Sequence, residues 1–315
     1  MVAGALASVA CIAHGQAYPS RPIHFLVPFT VGGGADIAAR TIAQNLGDEL
    51  GQQIVVDNRP GSGGVLGMEL AATSSANGYT LVIGNIGTIA VAPAVYRKLA
   101  YDPMRDLAPI TLLAHSPYVM AVTASNSPKT VQEFVASAKS SPGKLNYAST
   151  GIGSPGHLSA ALLSVLSGIR MEHVPYKDIS QIFVDMYSGQ IQLYFSGISP
   201  ALTQMKSGKI RVLAITSTKR SSQIPELPTM VEAGIPGFEV SGWYGLFTPA
   251  GTPPKIIGQI NAAVKKIATS RDLQKRFTAI GADLATSTPA ELSAFVKSEI
   301  SKWAKVVKES GMRVD

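Results

Sequence analysis

Short apolar runs alternate with amphipathic stretches through the first third of the chain. Residues 23–27, 54–57 and 80–84 read as buried strands, and 36–50 and 65–72 read as helices between them. Such alternation predicts a parallel sheet with covering helices. A Pro- and Asp-rich stretch at 101–106 breaks the rhythm, and a long extended run follows at 110–124. The pattern then restarts. Thr130-Val131-Gln132-Glu133 predicts a capping box. Strand 146–149, helix 154–167, strand 171–174, helix 179–188 and strands 193–195 and 211–216 come next. A Pro-rich loop at 224–228 precedes a second extended run at 239–247. The tail reads as helix: Thr288-Pro289-Ala290-Glu291 supplies a cap, and Leu292, Phe295, Ile300, Trp303 and Val307 recur near helical spacing. Two α/β units joined by two extended runs predict two lobes with two crossovers. The chain would leave the first lobe near residue 117 and return near 243.

Glycine-rich loops stand where strands meet helices. Val31-Gly32-Gly33-Gly34-Ala35-Asp36 follows the first strand, and Arg59-Pro60-Gly61-Ser62-Gly63-Gly64 the second. Thr150-Gly151-Ile152-Gly153-Ser154-Pro155-Gly156-His157 follows the strand ending at Ser149. A glycine loop at a helix start offers free backbone N–H groups and the positive end of the helix dipole. It can hold an anion without a charged side chain. In open α/β sheets ligands sit beyond the carboxyl ends of strands, where these loops lie.

Composition narrows the partners. The chain has 315 residues, is 46% hydrophobic and 15% charged, and carries a formal net charge of +7. A basic balance suits anionic ligands. Lys and Arg are scattered singly, without the basic run and interleaved aromatics of a nucleic-acid surface, so no nucleic acid is expected. Residues 1–17 read as a secretory signal peptide lacking its positive n-region, with Gly15-Gln16-Ala17 as a small-x-small cleavage pattern. Cleavage there removes Cys11, the single cysteine, so no disulfide or thiolate metal site is expected in the mature chain. The histidines show no metal-ligand spacing, and neither a metal nor a cofactor is expected.

Gly151-Ile152-Gly153-Ser154-Pro155-Gly156 formally matches a dinucleotide fingerprint. Pro155 sits inside it, and no acidic strand end follows at the required distance. His157, just inside a helix start, reads as a capping or packing residue before it reads as a catalyst. Asp36, in the first turn of its helix, reads as a helix-dipole partner or as a ligand contact. Arg59 reads as a loop pin or an anion contact. A secreted hydrolase built on Ser154 or His157 is the rival reading, and it lacks a base–nucleophile arrangement.

In these same stretches the chain resembles the substrate-binding proteins of tripartite tricarboxylate transporters, also called Bordetella uptake gene (Bug) receptors. The matching residues include Tyr18-Pro19-Ser20-Arg21-Pro22-Ile23, Val27-Pro28-Phe29, Gly32 to Arg40, and Val56 to Gly64. Asn146 to Ser154, His157-Leu158, Val174-Pro175-Tyr176-Lys177, Lys219-Arg220-Ser221 and Pro249-Ala250-Gly251-Thr252-Pro253 continue the match in order. The resemblance implies a two-lobed periplasmic binding protein of type II, a Venus flytrap with two crossover strands. Its lobes would be 18–117 with 243–315, and 118–242. It implies capture of a small organic carboxylate, aliphatic or aromatic, and delivery to a membrane permease of large and small transmembrane subunits. A ligand sensor feeding a membrane signalling partner would use the same site. A monomer is expected.

Carried across, the ligand contacts expected are Val31, Gly32, Gly33, Gly34, Ala35 and Asp36; Asn85, Gly87 and Thr88; and Ser149, Thr150, Gly151, Gly153, Ser154 and His157. Tyr176, Lys177 and Asp178 lie where the family has its second-lobe motif. Phe195 and Trp243 are added as pocket aromatics, and with Tyr194 and Tyr244 they keep an aromatic acid in play. The chain departs from the family at Thr30-Val31, Asp178, Gln181-Ile182 and Gln192. An inward Asp178 would repel a second ligand carboxylate by about 1–4 kcal/mol at roughly 4 Å.

Overall fold

The computed structural model describes residues 18–124, 128–221 and 223–313, so the leader expected at 1–17 lies outside the described residues. The first unit runs β1 (Ile23–Val27), α1 (Gly34–Leu50), β2 (Ile54–Asn58), α2 (Val65–Ala72) and β3 (Thr80–Asn85). β1 pairs in parallel with β2 on one side and β3 on the other. Every β1 residue except His24 is buried, as expected of a strand covered on both faces. α1 turns Ala35, Ala38, Ala39, Ile42 and Leu46 onto the sheet and ends at Gly51, whose φ of 68° is the left-handed conformation that closes a helix. A π-helical turn, Ile86–Val91, and α3 (Ala92–Val95) follow β3.

The second unit is reached through β4 (Leu107–Thr123). It contains α4 (Val131–Ser140), β5 (Asn146–Ser149), α5 (Pro155–Ser167), β6 (Glu172–Pro175), α6 (Ile179–Ser188), β7 (Leu193–Gly197), α7 (Ile198–Met205) and β8 (Ile210–Ile215). The chain returns through β9 (Ser241–Pro249) and finishes with α8 (Pro254–Ile267), α9 (Arg271–Ala279), β10 (Asp283–Leu284) and α10 (Pro289–Ser310).

The strands join in the order β2-β1-β3-β9-β4-β7-β5-β6, with β8 and β10 also on β4. β4 runs antiparallel to β9 from Leu107 to Pro117. From Tyr118 onward its partners are β7 and β8. The two extended runs of the sequence are therefore the two crossover strands of a two-lobed α/β fold. α10 packs on the π-helical turn, α3, β4 and α5, and so touches elements from both units. The largest apolar cluster is continuous across them, taking in Met68 and Val91 from one and Leu158 and Phe195 from the other. Among the described residues no helix is long and apolar enough to cross a membrane.

Some local expectations are corrected. At Thr130 the hydroxyl accepts the Glu133 N–H at 3.1 Å. The Glu133 carboxylate accepts from Lys129 rather than from Thr130, so the box is half formed. At Thr288 both halves are present. The strand expected at 193–195 runs to Gly197 and passes directly into α7, which had no sequence signal because its N-cap, Gly197, makes no side-chain capping bond.

Candidate functional site

The carboxyl ends of β1, β2, β3 and β5 meet around one cavity of about 430 Å³. Its walls come from Pro28, Phe29 and Thr30 after β1, Pro60, Gly61, Gly63 and Gly64 after β2, Asn85, Gly87, Val91, Ala92, Val95 and Tyr96 after β3, and Thr150, Ile152, Gly153, Ser154 and Pro155 after β5. No charged side chain is among these lining residues. Gly64, at φ 99°, is needed where three loops close together. A Cβ there would lie 2.7 Å from Thr88 Cγ2 and 3.3 Å from the Pro28 carbonyl. The two units come together at Gly87, where a Cβ would stand 3.6 Å from the Gly153 carbonyl.

The loop after β1 is shaped by Asp36. Its buried carboxylate accepts the Gly32 N–H at 2.9 Å, Arg40 Nε at 3.0 Å and Asn58 Nδ2 at 2.9 Å. Asn58 also donates to the Phe29 carbonyl at 3.0 Å and accepts from Arg40 Nη2 at 2.8 Å. Burial alone would raise the Asp36 pKa; the hydrogen bonds from Gly32, Arg40 and Asn58, with the Arg40 charge, outweigh it and hold the group below its ordinary value. Asp36 thus organises the loop from behind. Arg59 is paired with Asp57 at 2.8 Å.

After β3, Asn85 Oδ1 accepts the Thr88 N–H at 3.0 Å, and Thr88 Oγ1 accepts the Asn85 N–H at 3.2 Å. This reciprocal cap opens the π-helical turn and leaves Thr88 buried. After β5, Ser154 caps α5 by accepting the His157 N–H at 3.4 Å, and Gly153 N–H donates to His157 Nδ1 at 3.2 Å. Ser149 Oγ lies 2.7 Å from His173 Nε2 and accepts the Gly151 N–H at 3.0 Å. This Ser–His pair cannot attack a substrate, because Ser149 is 0% exposed.

Of the expected contacts, Asn85, Gly87, Thr150, Gly153 and Ser154 line the cavity. Val31 through Asp36 do not; Val31 is 70% exposed and Asp36 points into its own network. Thr88, Ser149 and Gly151 lie behind the wall in the bonds just described. His157 lines a second depression, of about 710 Å³, between α5, β6 and the end of α10. Tyr176 donates to Asp185 at 2.6 Å, Lys177 is exposed, and Asp178 caps α6 by accepting the Ser180 N–H at 2.9 Å. Trp243 donates to Glu299 at 3.1 Å in the core, and Phe195 stacks on Phe238 at 6.0 Å. The sequence reading missed Phe29, Val91, Val95 and Tyr96 as wall residues. Gly61, Gly63 and Gly64 were visible as a glycine loop but were not carried into the site.

Behind the β5 loop, the His157 and His173 rings stack 4.1 Å apart with planes 6° from parallel, and Tyr147 stacks on His173 at 5.0 Å. Burial first, and the neighbouring His173 second, push His157 from 6.5 down to about 3. Burial also lowers His173. The unfolded chain therefore takes up these protons first. Stability is complete above the unfolded value of 6.5, falls below it, and levels off near the folded value of about 3. For His157 alone the loss at pH 5 is about 2 kcal/mol. Urea unfolding at about pH 7.5 and pH 5 checks this: a His157→Asn variant should show a smaller loss, and equal wild-type midpoints at both pH values would contradict it.

The Tripartite tricarboxylate transporter family receptor (TctC) family matches residues 38–312. BugT of Bordetella pertussis is 34% identical over 311 residues, 98% of this chain and 95% of that protein. The structure of R. palustris Rpa4515 with adipate superimposes with a TM-score of 0.81 at 34% identity, covering 94% of this chain and 99% of that one. MatC of Rhodopseudomonas palustris with bound malate gives 0.77 at 34%, covering 92% and 100%.

Proposed function

Because this chain belongs to the tripartite tricarboxylate transporter receptor family, we propose that it is a periplasmic receptor that captures a small organic carboxylate between its lobes. It would deliver that acid to a membrane permease with large and small transmembrane subunits. The observation that carries the reading is the cavity at the carboxyl ends of β1, β2, β3 and β5, walled by glycine loops. Backbone N–H groups and helix N-termini can hold a carboxylate there without an ion pair. The adipate and malate bound by the two R. palustris proteins support an aliphatic dicarboxylate. The apolar wall of Phe29, Val91, Val95 and Ile152 also suits an acid with a hydrocarbon or aromatic body.

In this reading the lobes are 18–117 with 243–315, and 118–242. The exchange of β4 partners between Pro117 and Tyr118 supports a hinge there. Asp178 is exposed and caps α6 by accepting the Ser180 N–H; turned away from the ligand, it would not repel a second carboxylate. A thermal-shift and calorimetry panel of adipate, malate, citrate, terephthalate and benzoate tests the proposal. Ligand at about 100 times its dissociation constant should add about 2.7 kcal/mol of stability. At least one acid should bind and be recovered unchanged; conversion of the acid, or no binding by any, would overturn the reading.

A further inference from the structure

We propose that Tyr118, Tyr194 and Tyr244 form a set of phenol donors for the ligand's carboxylate oxygens, set between the N-termini of α1 and α5. This rests on the receptor reading and names side chains that neither the glycine loops nor the family's motifs pick out.

Tyr118 and Tyr244 lie on β4 and β9, the strands that carry the chain between the two units, and Tyr194 lies on β7, which pairs with β4. None of the three is among the residues lining the cavity at the carboxyl ends of β1, β2, β3 and β5, so the donor set would lie beside it; Tyr244 is the register partner of Asn85, which does line it. Its hydroxyl stands at the first turn of α1: a Cβ on Gly34 would fall 2.8 Å from that oxygen. The α1 N-cap, Gly33, contributes no side-chain bond, so the turn's free N–H groups and the phenol share one place. Tyr194 lies at the corresponding turn of α5, its ring 3.6 Å from where a Cβ on Gly156 would be. Tyr118 stands at the β4 position where the strand changes partners, its ring 3.1 Å from the Cβ position of Gly242 on β9. Ionising Tyr118 would be opposed by both Tyr244 and Tyr194, so its oxygen lies within electrostatic reach of each.

Their hydroxyls also lack the bonds made by most other tyrosines of this chain, a lack shared with Tyr147, whose ring stacks on His173. Tyr18, Tyr96, Tyr101, Tyr176 and Tyr187 each donate to a protein acceptor, and Tyr79 pairs with Ser20. Tyr118, Tyr194 and Tyr244 make no hydrogen bond within the described residues, although Tyr194 is only 4% exposed. Their oxygens are not sealed from solvent: among the described residues the buried side-chain polar atom without a partner is Ser167 Oγ. An arriving carboxylate oxygen can therefore reach them and replace water. Burial raises Tyr194 and Tyr244 to about 12, so both stay protonated donors across the physiological range. An O–H···carboxylate bond is charge-assisted on the acceptor side and needs no cation.

The test is calorimetry of Tyr118→Phe, Tyr194→Phe and Tyr244→Phe with adipate, malate, citrate, terephthalate and benzoate, beside wild type. Phenylalanine keeps the ring, so thermal midpoints should stay close to wild type. Tyr118→Phe and Tyr244→Phe should each weaken the best-binding acid roughly 10- to 100-fold, the range for a hydrogen bond to a charged group. Gly34→Ala, whose methyl displaces the Tyr244 hydroxyl, gives the same loss by a second route and serves if a phenylalanine variant fails to fold. Wild-type affinity in all of these would overturn the donor set while the receptor reading stands. Failure of wild type to bind any of the acids would overturn the receptor reading, and this inference with it.

Discussion

Glu299→Leu is expected to destabilise the protein by about 2–6 kcal/mol, because it leaves two buried indole N–H groups without an acceptor at about 1–3 kcal/mol each. Glu299 is 5% exposed on α10. Its Oε2 accepts Trp243 Nε1 from β9 and Trp303 Nε1 from its own helix, both at 3.1 Å, while Lys302 pairs with Oε1. Both indoles are essentially sealed from solvent. Leucine is close to glutamate in size but accepts nothing, so the loss is one of satisfaction rather than of volume. Glu299→Gln keeps a carbonyl acceptor and should cost distinctly less. These are the chain's two tryptophans, so urea unfolding followed by indole fluorescence reads this site directly. A Leu variant within about 0.5 kcal/mol of wild type would show that the indoles find other acceptors. The position matters for function because α10 packs on the π-helical turn of one unit and α5 of the other. Loosening it should blur the closed geometry as well as lower stability.

The same tryptophan shows where sequence reasoning stops. Ser241–Pro249 is buried along most of both faces, so apolar character alone cannot say which face meets the cleft. Trp243 and Phe195 were the obvious aromatics to assign to a pocket, and both belong to the core. Their strand neighbours Tyr244 and Tyr194, turned the other way by the period-two alternation, stand at the helix starts. The strands and most helices were legible because burial periodicity is written into the side chains. Glycine loops were legible for a similar reason: positive φ and tight loop contacts demand glycine at Gly64 and near it. The direction of a single polar side chain was not. Asp36 and Thr88 suit a ligand as well as they suit a loop, and only the positions of Gly32, Asn58 and Asn85 decide. The π-helical turn Ile86–Val91 was hidden inside an apolar run whose cap, Asn85 with Thr88, was read only as ligand contacts.

A neutral cavity in a chain of net charge +7 divides the work of binding. Scattered surface cations raise the local concentration of an anion and speed its arrival. In the proposed receptor the site would then hold the anion with dipoles and neutral donors, which need no desolvated partner charge. Screening by salt should therefore act mainly on arrival, since the contacts at the cavity are short-ranged.

The loop that walls this cavity from the β1 side depends on one carboxylate, and Asp36→Ala is expected to weaken acid binding about 100-fold. The substitution removes the acceptor of the Gly32 N–H, of Arg40 Nε and of Asn58 Nδ2 together. Asn58 is also bonded to the Phe29 carbonyl, and Phe29 and Thr30 form the wall. Losing three bonds, each to a charged acceptor, should cost a few kcal/mol in loop order, and two decades of affinity correspond to about 2.8 kcal/mol. Asp36→Asn can satisfy some of the three donors and should fall between. The pH dependence follows from the lowered pKa. A carboxylate held below its unfolded value of 3.8 contributes fully above that value and is lost only as pH falls through the lower folded one. The deficit of the Ala variant should therefore be constant from about pH 8 to pH 5, across the window in which the His157–His173 stack is losing stability. Calorimetry at both ends with the best-binding acid separates the two groups. If the Ala variant bound with wild-type affinity, Asp36 would be only a favourable charge at the start of α1, and the loop would have to owe its shape to its glycines alone.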